Sequence, residues 1–273
     1  MKTFQNIFDQ KRFSRARASN FFGIVKYMLT MGALVWLLSQ GTAGLGYNWQ
    51  WYRVLKYVFY LEAGNLIAGP LIQGLWVTFK ITGISLVLAC ILGLVTAVFR
   101  LSDSMVARLL ARSYLELIRN TPLLVQLFFI YFVLSPVFDI DRFSSAVLAL
   151  SLFEGAYASE IFRAGIISIP RGQWEAAGSL GLGAYHTYRR VILPQALHWV
   201  LPPLTSQAIS LVKDSALVST IAIYDLTMQG QAIVSDTYMV FEVWFVVALI
   251  YLIVTTAMSI GVHALERHYQ ARS

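Results

Sequence analysis

Apolar residues along this chain come in long runs, broken by short polar segments in which arginine and lysine recur. Six runs stand out: residues 21–39, 72–99, 121–136, 143–166, 200–224 and 239–264. Several approach or exceed the ~20 apolar residues that a helix needs to cross ~30 Å of hydrocarbon, and 21–39 is marginal in length. The pattern predicts an all-α integral membrane protein, a polytopic bundle of about six helices. No period-two alternation suggests a strand.

The first run is apolar except for Lys26. Its core, Tyr27–Leu38, has the length of a signal-peptide h-region, but no A-x-A cleavage site follows, so we read it as a retained signal-anchor helix. Residues 40–70 open with Gly41, Gly44 and Gly46 and continue as YNWQWYRVLKYVFYLEAGN. That aromatic density, with Arg53 and Lys56, predicts an interfacial helix on the outer side. Residues 100–120 are basic and amphipathic and return the chain to the cytoplasmic surface. Thr121 reads as an N-cap, with Pro122 at the first helical position of the next span.

Composition narrows the picture further. Of 273 residues, 58% are hydrophobic and 13% charged, with a mean hydropathy of +0.64, too little charge to cover a soluble domain. The formal charge of +7 raises the question of nucleic acid, and the position of the basic residues answers it. Sixteen of the 21 Lys and Arg fall in residues 1–26, 100–119, 163–190 and the C-terminus, segments that alternate with the apolar runs. Positive-inside bias accounts for this without nucleic acid, and it places both termini in the cytoplasm. Residues 1–20 are then a cytoplasmic tail, 21–71 an additional transmembrane helix with an outer interfacial segment, 72–265 the main membrane domain, and 266–273 a cytoplasmic tail. The single Cys90 excludes a disulfide framework and a cysteine metal site.

The stretch EAAGSLGLGAYHTYRRVILPQA, residues 175–196, is too polar to span and too structured for a plain loop. Ala176 and Ala177 lower the bulk of a short helix so that another protein can approach. Gly178, Gly181 and Gly183 permit a sharp reversal or positive φ. Leu193 and Pro194 start the next segment. The physical reading is a cytoplasmic docking knob.

This stretch resembles the EAA loop of bacterial ABC importer permeases, E-A-A-x3-G-x9-I-x-L-P, departing only in Val191 at the isoleucine position. IRNTPLLVQLFFIYF (118–132), YASEIFRAGIISIPRGQWEAAGSLGL (157–182), LPQA (193–196) and LPPLTSQAISLVKDSALVST (201–220) are similar to the polar amino acid uptake subfamily. The resemblance covers about residues 65–265 and implies a permease subunit in the bacterial inner membrane. Its implied partners are a cytoplasmic ATPase homodimer, a second permease that is a paralogue or an identical copy, and an extracytoplasmic amino-acid-binding protein. The loop at 168–196 would hold the coupling helix, with Glu175, Ala176, Ala177, Gly178, Gly181, Leu193 and Pro194 carrying the motif. No Gly-Lys dipeptide occurs, so the chain has no P-loop. No cofactor is expected on this chain; ATP and Mg belong to the partner ATPases.

Ionisable groups in membrane spans point to pathway or pairing roles. Glu160 and Arg163, three apart on one face, form an ion pair or line a path for zwitterionic solutes. Lys213 and Asp214, flanked by Ser210, Ser215 and Ser219, either join a structural network or meet solute where the helix is broken. Asn120, Thr121 and Gln126 form a capped helix start whose free N–H groups suit a carboxylate, or serve as ordinary caps. Glu154 is a weaker candidate, and the four His show no ligand spacing. Two other classes compete. A stand-alone secondary transporter would need no docking loop, and an intramembrane hydrolase would rest on Ser210 and Lys213 without an oxyanion signal. The particular amino acid is not written in the sequence.

Overall fold

A computed structural model describes residues 22–34, 36, 37, 40, 41, 46–62 and 64–270. The expected tails at 1–20 and 271–273 lie outside the described residues. The chain divides into two compact units, Met1–Trp49 and Gln50–Ser273. In the first, the described residues between 22 and 41 are helical, with α1 (Phe22–Leu34) an apolar helix exposed along its length.

The second unit begins with α2 (Trp51–Val58) and a hairpin, β1 (Phe59–Glu62) and β2 (Asn65–Ala68), paired antiparallel with Phe59 opposite Ala68. The hairpin corrects the expectation that the chain holds no strand. Its four-residue strands are too short to show a period, and the turn at Gly64, with φ of 83°, joins two apolar triplets. The interfacial helix expected across this region is therefore only α2. Gly69 closes the base of the hairpin by donating to the Val58 carbonyl at 2.8 Å, and a Cβ there would collide with the Tyr57 carbonyl.

The main bundle comprises α3 (Pro70–Leu101), α4 (Met105–Arg119), α5 (Leu123–Phe138), α6 (Arg142–Ile167), α7 (Arg171–Ser179), α8 (Ala184–Thr187), α9 (Leu193–Asp214), α10 (Leu226–Thr237) and α11 (Val240–Gln270). Among the described residues, α3, α6 and α11 are long and apolar enough to cross a membrane. The bent pair α4–α5, turning through 105°, makes a fourth candidate. At 22 residues α9 is long enough to span about 30 Å. Its prolines, glutamines and Lys213–Asp214 leave it too polar to qualify by composition.

Helices α3 and α6 form the heart of the bundle and run parallel, since Ser85 meets Val147 and Ser151 while Gly93 meets Gly155 and Ala158. The buried side of α3 is built from small residues: Gly74, Thr78, Thr82, Ser85, Ala89 and Gly93. Small side chains let two backbones approach closely, which is how helices associate where lipid tails are as apolar as leucine. A Cβ on Gly93 would stand 2.7 Å from the Ala158 Cβ. The Ser85 hydroxyl donates to the Val147 carbonyl, and Ser151 donates to Val147 and Ser85 carbonyls. Around this seam lies the largest core, including Ile81, Leu127, Ala146, Leu150, Leu211 and Val218.

Two π-helical turns interrupt the helices, Phe129–Leu134 inside α5 and Tyr188–Ile192 between α8 and α9. Each ends two residues before a proline, Pro136 and Pro194. A proline offers no amide to the preceding turn and its ring crowds that turn, which widens to accommodate it.

The close seam yields a test. Gly93→Leu forces about four extra carbons between α3 and α6, and overpacking of this kind costs about 1–3 kcal/mol. The purified variant should melt several degrees lower than the parent. Gly83→Leu, where nothing lies within 4 Å of the added Cβ, should not.

Candidate functional site

The segment between α6 and α9 forms a compact knob. Helix α7 starts behind Pro170, and of its nine residues Ala177 is the one fully buried. Its end is fixed by two bonds, Leu182 N–H to the Ala177 carbonyl at 3.1 Å and Gly181 N–H to the Gly178 carbonyl at 2.9 Å. This is a Schellman arrangement, and it requires the left-handed φ of 71° at Gly181. Gly178 is helical and Gly183 extended, so the reversal expected of three glycines rests on one. Ala177 faces inward, Trp174 packs edge-on against Tyr188 at 5.1 Å, and the knob sits on a cluster of Ile166, Ile169, Ile192 and Ala196 joined by Leu193. Gln195 ties α9 to α7 through Gln173 at 3.1 Å. Pro194 is exposed at the start of α9. Glu175, Ala176 and Gly178 are exposed as well, so α7 offers a low, small-residue face with one carboxylate.

Above the knob, the Glu160 carboxylate gathers three guanidiniums: Arg100 of α3 at 2.6 Å, Arg119 of α4 at 3.0 Å and Arg163 of its own helix at 3.2 Å. The expected Glu160–Arg163 pair exists, and Arg100 and Arg119 extend it into a clasp across three helices. Arg119 also lies 6.0 Å over the Tyr157 ring. A carboxylate shared in this way is occupied with pairing, which leaves little of it for solute.

Asn120, Thr121 and Gln126 do not open a helix N-terminus to solute. The structure puts Pro122, not Thr121, at the cap position of α5. Asn120 and Thr121 instead donate back to α4 carbonyls, Glu116 and Leu117, each at 2.8 Å. Gln126 is buried and donates to the Ile118 carbonyl at 2.7 Å and to the Thr121 hydroxyl at 2.8 Å. The three residues are the cement of the α4–α5 corner. With Pro122 rather than Thr121 at the cap position, the Thr121 hydroxyl turns toward the orphan carbonyls of the helix before it.

Midway along α6, Glu154 is 2% exposed and accepts from Gln207 of α9 at 2.6 Å. Its Oε1 has no partner among the described residues. Asp214 is half-buried and near enough to repel the Glu154 carboxylate. The helix does change where Lys213 and Asp214 stand: α9 ends at Asp214 and continues as a 3₁₀ turn, Ser215–Ile221. Lys213 is exposed and makes no hydrogen bond or ion pair among the described residues. Ser215 is buried and donates to the Val212 carbonyl at 2.8 Å, so it faces its own helix rather than a path.

Two outer features escaped the sequence reading. Arg142 donates to the Ala222 carbonyl at 2.9 Å and lies 5.8 Å over Tyr131, tying α6 to α5 and to the turn before α10. Asp225 is fully buried, caps α10 through Met228 N–H at 2.8 Å, and keeps Oδ2 without a hydrogen-bond partner among the described residues. Beside it, Thr78 accepts from Leu226 N–H and Thr227 bonds Tyr251 at 3.0 Å. Burial pushes the Asp225 carboxyl up to about 6, against the opposing pull of the Met228 and Thr227 amides. The Arg142 contact spans 80 positions and has no local signal, whereas the Asp225 cap, three residues from Met228, was open to sequence and only its burial beside Thr78 was not.

The family described as "Binding-protein-dependent transport system inner membrane component" matches residues 87–271. The L-cystine transport system permease protein TcyB of Bacillus subtilis (strain 168) is 42% identical over 219 residues, covering 76% of this chain and 93% of the relative. The glutamine transport system permease protein GlnP of Escherichia coli (strain K12) is 40% identical over 200 residues, covering 72% and 91%. A solved amino acid ABC transporter with histidines is similar at 36% identity and a TM-score of 0.72, covering 81% of this chain and 100% of its own. The methionine transporter MetNI in an inward-facing form, at 20% identity, a TM-score of 0.61 and coverage of 73% and 95%, shares the fold.

The Asp225 cluster predicts a pH dependence. The folded protein holds a proton that an unfolded aspartate releases near pH 4. Stability therefore falls as pH rises from about 4 to about 6, by about 1.4 kcal/mol per unit at most, and levels off above. Asp225→Asn keeps the acceptor for Met228 and removes the titration. Its melting temperature should exceed the parent's at neutral pH, with the difference shrinking toward pH 4.

Proposed function

The chain belongs to the family of binding-protein-dependent transport system inner membrane components, and from that footing we propose that it is the permease subunit of an ATP-driven importer of polar amino acids. The names of its relatives, cystine and glutamine permeases and an amino acid ABC transporter, support that solute class. The observation that carries the reading is α7, a small-residue helix with an exposed face and a rigidly fixed end, held between α6 and α9. A stand-alone ion-coupled carrier has no use for such a helix and is not favoured, and the chain itself is a membrane subunit rather than an enzyme.

In this reading a cytoplasmic ATPase pair binds ATP and Mg and receives α7 in a groove. Glu175 gives the contact its charge, and Ala176 and Gly178 let the surfaces meet closely. Closing and opening of the ATPases moves α7, and through the Ile166–Ile169–Ile192 cluster moves α6 and α9 with it. A second permease subunit completes the path, and an extracytoplasmic binding protein delivers the solute. The chain lies in the bacterial inner membrane with both termini in the cytoplasm.

Lys213 indicates which side of the subunit meets the path. A charge in a membrane span is costly against lipid, and this one is exposed on the isolated subunit, next to Asp214 in the chain. The face bearing Lys213 is turned toward the second permease and the aqueous route. There the Lys213 ammonium and the half-buried Asp214 carboxylate suit the two charges of a zwitterionic amino acid.

Co-purification with the ATPase subunit tests the assignment. The parent chain should carry the ATPase through purification, and the double variant Glu175→Arg with Gly181→Trp should lose it by at least ten-fold while still folding in the membrane. Purification without an ATPase, together with uptake into liposomes driven by an ion gradient alone, would overturn the reading.

A further inference from the structure

Helix α4 has three longitudinal faces, and only one of them is buried in the bundle. Ala111, Leu115 and Ile118 are buried against α3 and α6. On one side of that buried strip Val106, Leu110 and Leu117 are exposed, at 68%, 59% and 67%. On the other side Arg108, Arg112 and Arg119 form a row, all exposed. At about 100° per residue each of these triplets falls within ~40° of the helix circumference, and the two lie nearly opposite each other.

The orientation follows from the fold. Helix α4 turns through 105° before α5, so it runs across the direction of the spanning helices, beside their inner ends. Arg119 reaches Glu160, and Arg108 donates to the Ser102 carbonyl that follows α3, at 2.8 Å. A helix lying in this plane, with its core side against the bundle, turns one edge up into hydrocarbon and the other down to the headgroups. The apolar triplet suits the first edge and the arginine row the second.

Nearby acids do not balance the arginines. Glu160 is a single carboxylate between Arg100, Arg119 and Arg163. Glu116 stands 3.8 Å from Arg112 in an exposed pair, which is worth little. A guanidinium carries five N–H donors in a planar fork suited to phosphate oxygens, and most of those on Arg108 and Arg112 are uncommitted among the described residues.

We propose that α4 is an in-plane anchor that binds anionic phospholipid of the cytoplasmic leaflet, the headgroup phosphate held by Arg108 and Arg112, with Arg119 kept by Glu160, and the acyl chains laid along Val106, Leu110 and Leu117. Charge complementarity selects this occupant, because the phosphate of a zwitterionic lipid is already balanced by its own ammonium and only an anionic headgroup brings net charge to the row. The cytoplasmic placement of α4 rests on the orientation proposed above. The anchor itself does not depend on the ATPase, so the two proposals fail separately.

The test uses the full chain in vesicles, with Cys90→Ala and a bromide-quenched fluorophore on Leu110→Cys. Quenching by brominated phosphatidylglycerol is compared with quenching by brominated phosphatidylcholine at equal content. The parent should prefer the anionic lipid, by roughly five-fold for each arginine engaged. Arg108→Gln with Arg112→Gln should bring the ratio near one, and Arg108→Lys with Arg112→Lys should largely retain it, which separates loss of charge from loss of fold. Equal quenching in the parent would overturn the proposal, as would a preference that survives the glutamine pair. Displacement by inorganic phosphate would reassign the row to a soluble anion, and displacement by added ATPase would reassign it to that subunit.

Discussion

Everything in the main unit depends on how closely α3 and α6 approach. Membrane helices gain nothing by hiding apolar side chains from lipid, so they hold together by dispersion contacts and by the few hydrogen bonds that cross between them. Here glycine, serine and alanine bring the two backbones together, and Ser85 and Ser151 bond across the seam. The parallel pairing sets Arg100 beside Glu160 at one end and leaves Arg142 to reach the Ala222 turn at the other. Helices α4, α5 and α9 then pack against a pair whose spacing is already fixed.

Charge serves two purposes within this frame. At the ends of the bundle it is consumed in pairing: Glu160 joins three helices through arginines, and Arg142 joins three segments through a carbonyl and a ring. In the middle it is left partly open, with one Glu154 oxygen unpartnered and Lys213 exposed. Desolvating unpaired charge is expensive. The contrast between closed ends and an open middle divides one set of ionisable residues into those committed to architecture and those that are not.

Much of this was legible in the sequence where the signal is local. The apolar runs gave α3, α6 and α11, and the knob was readable because a helix of small residues followed by Gly181 and Leu182 carries its own stop signal. The hairpin was not, since four-residue strands show no period. Gln126 was read as part of an open helix start because its partners, Ile118 and Thr121, could be placed only once the 105° corner was known. The Gln207–Glu154 bond spans 53 positions, and nothing in either neighbourhood announces it. Local rules find elements and their ends; the pairing of buried polar groups is decided by which helices meet.

The π-turn at Tyr188–Ile192 gives the knob two unequal attachments. On its α6 side, α7 follows after the short stretch Ser168–Pro170, whose backbone bonds to Ala164 and Ile166 carry the helix almost into the knob. On its α9 side the connection passes through a wide, poorly stacked turn imposed by Pro194. A push on α7 thus meets a stiff strut in one direction and a compliant joint in the other.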